Sequence, residues 1–378
     1  MTRDPRVLLD ATSIPANRAG VGRYVEETVR ALVARGYPLA VVTQERDAER
    51  FVELAPGLRV VAAPRAIEST ARRLVWEQTE LPRLARRLRV DVVHSPHYTM
   101  PLRTPVPVVV TLHDATFFSD PGVHVPAKRH FFRAWTRTSL RRAAVCLVVS
   151  QASADELVTW AGADRRRLRV APLGVDHARF RPPSSVEKLV AREHLGLSDR
   201  PYLAFLATLE PRKNVPALVR GFVLASERLT DPPALVLAGA PGWDDDVDPA
   251  IAAVPDHLTV LKPGYLPLED LPGFLGGAEL VCYPSLGEGF GLPVLEAMAC
   301  GAPVLTTRLL SLPEVGGDAV AYTGTSAEEI AGSIEALLCD PDRLAELRGL
   351  ATRRAATFDW ARTADGCVAA YRSAASSR

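Results

Sequence analysis

Short apolar runs alternate with longer amphipathic segments along most of the chain. The runs "RVLLDAT" (6–12) and "VPVVVTLHD" (106–114) have the length of buried strands, whereas "RYVEETVRALVARG" (23–36) repeats its apolar residues at helical spacing. Strands that alternate with helices in this way form parallel β-α-β units, with helices on both faces of the sheet. The pattern therefore predicts an α/β protein built from doubly wound, Rossmann-like parallel sheets.

The alternation stops between residues 172 and 200, where the sequence is polar and rich in proline, and it resumes at "YLAFLATLEPRKN" (202–214). A length of 378 residues also suggests more than one domain. We expect an N-terminal domain over 1–178, a linker over 179–199 and a C-terminal domain over 200–358. Because such sheets bind ligands at the carboxyl ends of their strands, a ligand cleft between the two domains is expected.

The overall charge excludes some partners. A formal net charge of +1 gives no electrostatic footprint for DNA or RNA, so no nucleic-acid partner is expected. The first residues contain no apolar stretch typical of a signal peptide, and the five cysteines include no CxxC pair, so we expect a cytoplasmic protein.

Two basic segments in the N-terminal half carry aromatic residues, "ARRLVWEQTELPRLARRLRV" (71–90) and "AKRHFFRAWTRTSLRRAA" (127–144). One interpretation is a peripheral contact with an anionic membrane, at the inner face. The other is a solvated helical face, which is the more ordinary role of such charges.

The segment "LGEGFGLPVLEAMACG" (286–301) joins a predicted strand to a predicted helix through a glycine-rich loop. Backbone N–H groups in such a loop can approach a ligand closely, and the start of a helix carries a partial positive charge of roughly +0.5. Carboxylates here need hydrogen-bond donors, which sugar hydroxyls supply, so Glu288 and Glu296 are candidates to read a transferred sugar and a ribose. The alternative is two solvated acids.

A second candidate motif is "LATLEPRKN" (206–214), where a predicted strand ends just before a helix. Arg212 offers a planar fork of donors and Lys213 a mobile point charge, and this pair suits a diphosphate. A solvated pair of cations is the alternative.

Two glycines, Gly20 and Gly22, precede the first predicted helix in "NRAGVGRYV" (17–25). The segment lacks the full GxGxxG spacing and the acidic residue that reads a ribose, so it does not predict NAD binding. We interpret it as a loop that lets a diphosphate or an acceptor come close, with a plain tight turn as the alternative.

His113 and Asp114 end the strand predicted over 106–112. At that position His113 could bond a sugar hydroxyl or a leaving phosphate, and Asp114 could fix the His113 tautomer or cap the following segment. A structural histidine is the alternative. The aspartates of "GWDDDVDP" (242–249) are interpreted as a solvated acidic run, and no metal is assigned to them.

Taken together, these motifs resemble the retaining glycosyltransferases of family 4, which have the two-domain GT-B fold. The resemblance spans nearly the whole chain and rests on "LLDATSIPANRAGVGRYV" (8–25), "TLHDATFF" (111–118), "VAPLGVDHARFRP" (170–182), "LATLEPRKN", "YPSLGEGFGLPVLEAMACGAPVLTT" (283–307), "SLPEVGGDA" (311–319) and "FDWARTADGCVAAY" (358–371). The sequence has Val21 where Ile is commoner in the family and Gly287 where a larger residue is usual.

The resemblance implies roles for individual residues. Arg212 and Lys213 would hold the diphosphate, His113 would lie near the C6 hydroxyl of the sugar, and Gly20 with Gly22 would close over the phosphates. The segment around Lys262 would flank the base, and the last helix (359–378) would pack back on the N-terminal domain. The donor sugar, its phosphate and the ribose would be held by Glu288, Gly289, Phe290, Gly291, Leu292 and Glu296.

Several motifs are similar to those of bacterial mannosyl- and rhamnosyltransferases of polysaccharide assembly, which favours GDP-mannose as donor over a UDP-sugar. The implied reaction moves a hexose from the nucleotide sugar to a glycan, lipid-linked or small-molecule acceptor, and it requires neither a metal nor another cofactor. Two alternatives remain open: a nucleotide-sugar epimerase on the same fold, and an inactive scaffold subunit that binds nucleotide sugars.

Overall fold

The structure, a computed structural model, describes residues 3–15 and 19–377. It divides into two compact units. The first contains the described residues up to Gly174 together with those from Asp359 onward, and the second runs from Val175 to Phe358.

The first unit is built on a parallel sheet of seven strands in the order β3-β2-β1-β4-β5-β6-β7. Helices cover both faces, which explains why strands such as β1 and β5 read as unbroken apolar runs. Its strands are β1 (Val7–Asp10), β2 (Leu39–Gln44), β3 (Arg59–Ala63), β4 (Val92–Ser95), β5 (Val108–Leu112), β6 (Val145–Val148) and β7 (Leu168–Val170).

Six helices of the first unit precede or connect these strands. The third, fifth and sixth of these helices cover one face of the sheet. This face holds the larger apolar cluster, which includes Leu81, Leu140 and Leu157. The helices are α1 (Ala19–Ala34), α2 (Ala48–Leu54), α3 (Thr70–Leu88), α4 (Thr116–Ser119), α5 (Pro126–Arg142) and α6 (Gln151–Ala161).

The second unit is built on a parallel sheet of six strands in the order β10-β9-β8-β11-β12-β13. The order reverses between β8 and β11, and ligands of doubly wound sheets bind at such a reversal. The strands are β8 (Tyr202–Leu206), β9 (Ala234–Ala238), β10 (Val260–Gly264), β11 (Leu280–Tyr283), β12 (Val304–Thr307) and β13 (Ala321–Thr323).

The helices of the second unit include one inside the segment 179–199, which the sequence predicts to be a linker. The prediction of a linker is wrong, because Ser184 and Glu187 form a capping box that starts a helix. This helix packs closely against Gly273. The helices are α7 (Ser185–His194), α8 (Val215–Ser226), α9 (Val247–Ala252), α10 (Leu271–Gly276), α11 (Leu292–Ala299), α12 (Leu312–Gly316), α13 (Ala327–Leu338) and α14 (Pro341–Ala355).

The last helix, α15 (Trp360–Ser376), belongs to the first unit. With α1 it covers the second face of that unit's sheet, where Ala370 and Tyr371 pack against Val92 and Val109. The Tyr371 hydroxyl lies 2.7 Å from Nδ1 of His94 on β4, so a buried hydrogen bond joins the helix to the sheet. No helix in the described part of the chain combines the length and the apolar character needed to cross a bilayer.

Candidate functional site

Two of the predicted motifs meet at the reversal point of the second sheet. Arg212 and Lys213 lie in a short 3₁₀ turn that follows β8, and Glu288 lies in the loop that follows β11. Because β8 and β11 are hydrogen-bonded neighbours, their carboxyl ends bring residues 75 or 76 positions apart into contact. We call Glu210, Arg212, Lys213, Tyr283, Ser285 and Glu288 the Glu288 cluster.

Glu288 is the centre of this cluster and is only 7% exposed. Its Oε1 accepts hydrogen bonds from Lys213 Nζ at 2.5 Å, from the Ser285 hydroxyl at 2.7 Å and from the Tyr283 hydroxyl at 3.0 Å. Its Oε2 accepts from Arg212 Nη1 at 2.6 Å. Four donors therefore fix the carboxylate, three of them on one oxygen.

The two cations have further acidic and polar partners. Arg212 Nη2 donates to Glu210 Oε1 at 2.6 Å, and Lys213 Nζ lies 3.8 Å from the same oxygen. Lys213 also donates to the Tyr283 hydroxyl at 2.8 Å. Two cations thus face two carboxylates, and their formal charges cancel within the cluster.

Neighbouring charges and burial shift the pKa of Glu288 in opposite directions. Burial by itself would raise the pKa of this carboxyl, but the charges of Arg212 and Lys213, with the hydrogen bonds from Lys213 and Ser285, lower the pKa to about 2. Burial and the neighbouring Arg212 charge lower the pKa of Lys213, and Glu288 and Glu210 oppose that shift. Glu288 is ionised at neutral pH and holds the ammonium group of Lys213 opposite it.

Hydroxyl groups at the end of β12 and at the start of α12 hold the glycine loop around Glu288. The Ser311 hydroxyl donates to the Glu288 carbonyl oxygen at 2.8 Å, and Thr307 Oγ1 donates to the Ser285 carbonyl oxygen at 2.7 Å. Gly291 then adopts a φ of +100° as the N-cap of α11, a conformation that L side chains rarely adopt. The loop delivers the start of this helix beside the cluster.

The other residues expected to contact the donor lie on this loop and helix. Phe290 is buried and its ring centroid lies 6.0 Å from that of Phe358, so its side chain supports the loop. Gly289 and Leu292 flank the helix start. Glu296 is 1% exposed and lies in the second turn of α11.

His113 lies at the carboxyl end of β5, as expected, and its ring is oriented by a backbone group. His113 Nε2 lies 2.7 Å from the Pro96 carbonyl oxygen, which can only accept, so Nε2 carries the proton. Asp114 was expected either to fix this tautomer or to cap the next segment, and the structure shows the second role, because Asp114 Oδ1 accepts from Thr116. Burial lowers the pKa of His113, so the ring is neutral and Nδ1 can act as an acceptor.

The two N-terminal glycines differ from the expectation. Gly20 and Gly22 belong to the first turn of α1 and form no loop, and residues 17 and 18 of the same motif lie outside the described residues. Lys262 lies on the edge strand β10, two strands away from β8, and its ammonium group pairs with Asp248. That the segment around Lys262 flanks the base of the donor stays a prediction.

Three members of the cluster are not among the sequence candidates, namely Glu210, Tyr283 and Ser285. Each stands within a motif whose other residues are candidates, Glu210 in "LATLEPRKN" and the other two in "YPSLGEG". Position at a strand end could have identified them, since side chains that follow adjacent parallel strands share one edge of the sheet.

The aromatic residues of the two basic helices face the protein. Trp76 on α3 and Phe132 and Trp135 on α5 pack against the apolar cluster of the first unit. This packing favours the interpretation of these segments as solvated helical faces with an apolar inner side.

Family models match both units. The model of Glycosyltransferase Family 4 covers residues 18–179, and that of Glycosyl transferases group 1 covers residues 188–354. The chain is also 32% identical over 288 residues to the O-antigen chain mannosyltransferase B of Escherichia coli, with 74% of each chain covered. The chain belongs to glycosyltransferase family 4. The predicted family and enzyme class are thereby confirmed.

Further similarities concern the whole length of this family 4 glycosyltransferase. A D-inositol 3-phosphate glycosyltransferase of Acidothermus cellulolyticus is 32% identical, with 95% of this chain and 86% of the relative covered. The solved structure of a sucrose-phosphate synthase from Thermosynechococcus elongatus has a TM-score of 0.76, with 20% identity and 98% of both chains covered. At that identity the likeness concerns the fold, and it confirms the GT-B class predicted from the sequence.

Proposed function

We propose that this family 4 glycosyltransferase moves a hexose, with retention of its anomeric configuration and without a metal, from a nucleoside diphosphate sugar to an acceptor. The donor we favour is GDP-mannose, and the acceptor is a glycan, a lipid-linked sugar or a small molecule. The single observation that carries the proposal is the meeting of Arg212, Lys213 and the start of α11 around Glu288.

The cluster suits the departure of a diphosphate. As the bond from the sugar to the phosphate breaks, negative charge grows on the leaving oxygen while the sugar becomes positive. Arg212 and Lys213 are fixed cations in a buried environment, and the start of a helix adds oriented backbone donors. Groups fixed in advance stabilise this charge without having to reorganise during the reaction.

Glu288 has two tasks in this proposal. Through Oε1 it holds Lys213, because that oxygen already accepts three hydrogen bonds. Each oxygen of an ionised carboxylate offers about two acceptor positions, and Oε2 accepts one hydrogen bond, from Arg212, so one position remains on Oε2. A hydroxyl of the donor sugar would therefore bind at Oε2.

Retention follows if the acceptor attacks from the face that the phosphate leaves. A phosphate oxygen then takes the proton of the acceptor hydroxyl, and no side-chain nucleophile is needed. His113, neutral and with its proton on Nε2, would accept a hydrogen bond from a sugar hydroxyl at Nδ1. Glu296 would bind the ribose of the donor.

The relatives support the choice of substrates. The Escherichia coli relative is named a mannosyltransferase of an O-antigen chain, which favours a mannosyl donor and a glycan acceptor. The Acidothermus relative is named for D-inositol 3-phosphate, so a small phosphorylated polyol is retained among the acceptors.

The test is an incubation of the protein with radiolabelled GDP-mannose and, separately, UDP-glucose, in the presence of candidate acceptors. Transfer predicts release of the nucleoside diphosphate and a labelled acceptor. An epimerised sugar without transfer would identify an epimerase, and binding without any turnover would identify an inactive scaffold. Either of these results would overturn the proposal.

A further inference from the structure

An open cleft lies at the amino-terminal edge of the first unit's sheet, where β5 begins. Its volume is about 740 Å³, and Val108, the first residue of β5, lines it. His113 follows the opposite end of the same strand. The cleft is lined by Met100, Pro101, Leu102, Arg103, Thr104, Val106, Pro107, Val108, Arg142, Ala143, Ala144, Arg167 and Ser377.

The lining carries three arginines and no acidic side chain. Arg167 is fixed by hydrogen bonds to carbonyl oxygens at the end of α5, including those of Leu140 at 2.9 Å and Arg141 at 3.1 Å. The carboxyl end of a helix carries a partial charge of roughly −0.5, so these carbonyls offset the guanidinium charge only in part and the cleft keeps a net positive charge.

Arg103 and Arg142 differ from Arg167 in their surroundings. Both are exposed, and within residues 3–15 and 19–377 neither has a carboxylate partner. Arg165 of the same unit, by contrast, pairs with Asp155. Two guanidinium forks thus remain available to an anion, beside a third that is held in place.

Apart from Thr104 and Ser377, the rest of the lining is apolar. Met100, Val106 and Val108 are buried, and Leu102 is 38% exposed at the cleft. A ligand that fits this cleft has an anionic group that binds the guanidinium groups, and it can contact the apolar side chains of the lining.

We propose that this cleft is a second anion site of the protein, which binds a phosphate or pyrophosphate group through Arg103, Arg142 and Arg167. One guanidinium group can donate two parallel hydrogen bonds to the oxygens of a phosphate. Because the lining contains no acidic residue, no carboxylate in the cleft opposes the positive charge of the arginines. The phosphate belongs either to a soluble phosphorylated molecule or to the head group of an anionic lipid. The inference goes beyond the proposed transfer reaction, which the second unit's cluster carries.

The test measures binding of inorganic pyrophosphate by calorimetry to the full-length chain carrying Lys213→Ala, so that the Glu288 cluster contributes little. The double variant Arg103→Gln/Arg142→Gln is compared with Arg86→Gln/Arg87→Gln, which removes the same charge from the exposed end of α3. We expect the first pair to weaken binding about tenfold or more, since it removes two guanidinium groups that donate charge-assisted hydrogen bonds. The control pair should leave binding nearly unchanged.

A second measurement distinguishes the two sources of phosphate. The same variants are sedimented with vesicles rich in phosphatidylglycerol and with neutral phosphatidylcholine vesicles. Loss of pyrophosphate binding alone indicates a soluble ligand, and loss of binding to the anionic vesicles indicates a lipid head group. If both assays give the same result for the cleft variant and the control variant, the proposed site does not exist.

Discussion

Lys213 Nζ and Glu288 Oε1 lie 2.5 Å apart in a site that is almost closed to solvent, although 75 residues separate them along the chain. Each group lies at the end of its own strand, and the pairing of β8 with β11 places them together. Each charge stabilises the other at this depth, because burying an ion without an opposite charge beside it is costly. The pair therefore couples the fold of the second unit to the chemistry proposed for it.

Replacement of Lys213 by alanine should remove one of the two fixed cations. We expect turnover of the donor to fall by about 10²- to 10³-fold, the typical effect of losing one preorganised electrostatic group. Release of nucleoside diphosphate from GDP-mannose provides the measurement. Arg220→Ala, which removes an exposed cation from α8, is the matched control, and near-normal turnover in Lys213→Ala would refute the role of Lys213.

Glu288→Gln keeps the shape of the side chain and removes its charge. Because Arg212 and Lys213 would then share the single carboxylate of Glu210, the free energy of unfolding of the second unit should fall by about 3 kcal/mol at neutral pH. Urea denaturation followed by far-ultraviolet circular dichroism would detect this. Glu335→Gln, which breaks an exposed pair with Arg228, should have a much smaller effect, and equal losses in both variants would contradict the prediction.

Gly291→Ala should destabilise the loop that presents α11. Gly291 has a φ of +100°, and a Cβ atom there would lie 2.9 Å from Leu312 Cδ2. We expect a loss of about 1–3 kcal/mol in unfolding free energy, together with weaker donor binding measured by calorimetry. Gly332→Ala is the control, because Gly332 lies on helix α13 with nothing within 4 Å of an added Cβ. That substitution should be neutral or stabilising.

The buried His94 should make the first unit sensitive to acid. Burial and the neighbouring His113 lower the pKa of His94 from its ordinary value of 6.5 to about 3. Between these values the unfolded chain binds the proton more readily, so stability is complete above about pH 6.5 and declines as the pH falls toward 3. The slope contributed by one such group is at most about 1.4 kcal/mol per pH unit.

Thermal melting between pH 7.5 and pH 4.5 checks this expectation, with His94→Asn as the comparison. The variant should be less stable at pH 7.5, because the hydrogen bonds of His94 with Tyr371 and Thr111 are altered, and it should lose less on acidification. A variant with the same pH dependence as the natural protein would exclude His94 as the source.

Local patterns in the sequence predict much of the fold. The alternation of apolar runs with helical segments predicts both parallel sheets, because strands covered on both faces are apolar throughout. The segment 179–199 was misassigned because prolines and polar residues at its start outweighed a local signal, the Ser184 and Glu187 capping box of α7. Gly20 and Gly22 were assigned to a loop because glycine is unfavourable inside helices. The structure places both in α1, since tertiary contacts can override that preference.

The candidate site could be predicted only in part. Arg212, Lys213 and Glu288 were identified by their motifs, but their ion pairs depend on the adjacency of β8 and β11, which no local pattern states. Tyr283 and Ser285 were missed because a tyrosine and a serine near a strand end are common, and only the contacts with Glu288 distinguish them.

The placement of α15 in the first unit has a consequence for synthesis on the ribosome. All of the second unit, from Val175 to Phe358, is translated before this helix emerges, so the second unit can finish folding while the part of the earlier sheet that α15 covers is still exposed. During that interval Val92, Val109 and their neighbours depend on residues that have not yet been made. A nascent chain interrupted before Trp360 is made would thus expose these apolar residues, and chaperones would be expected to recognise it.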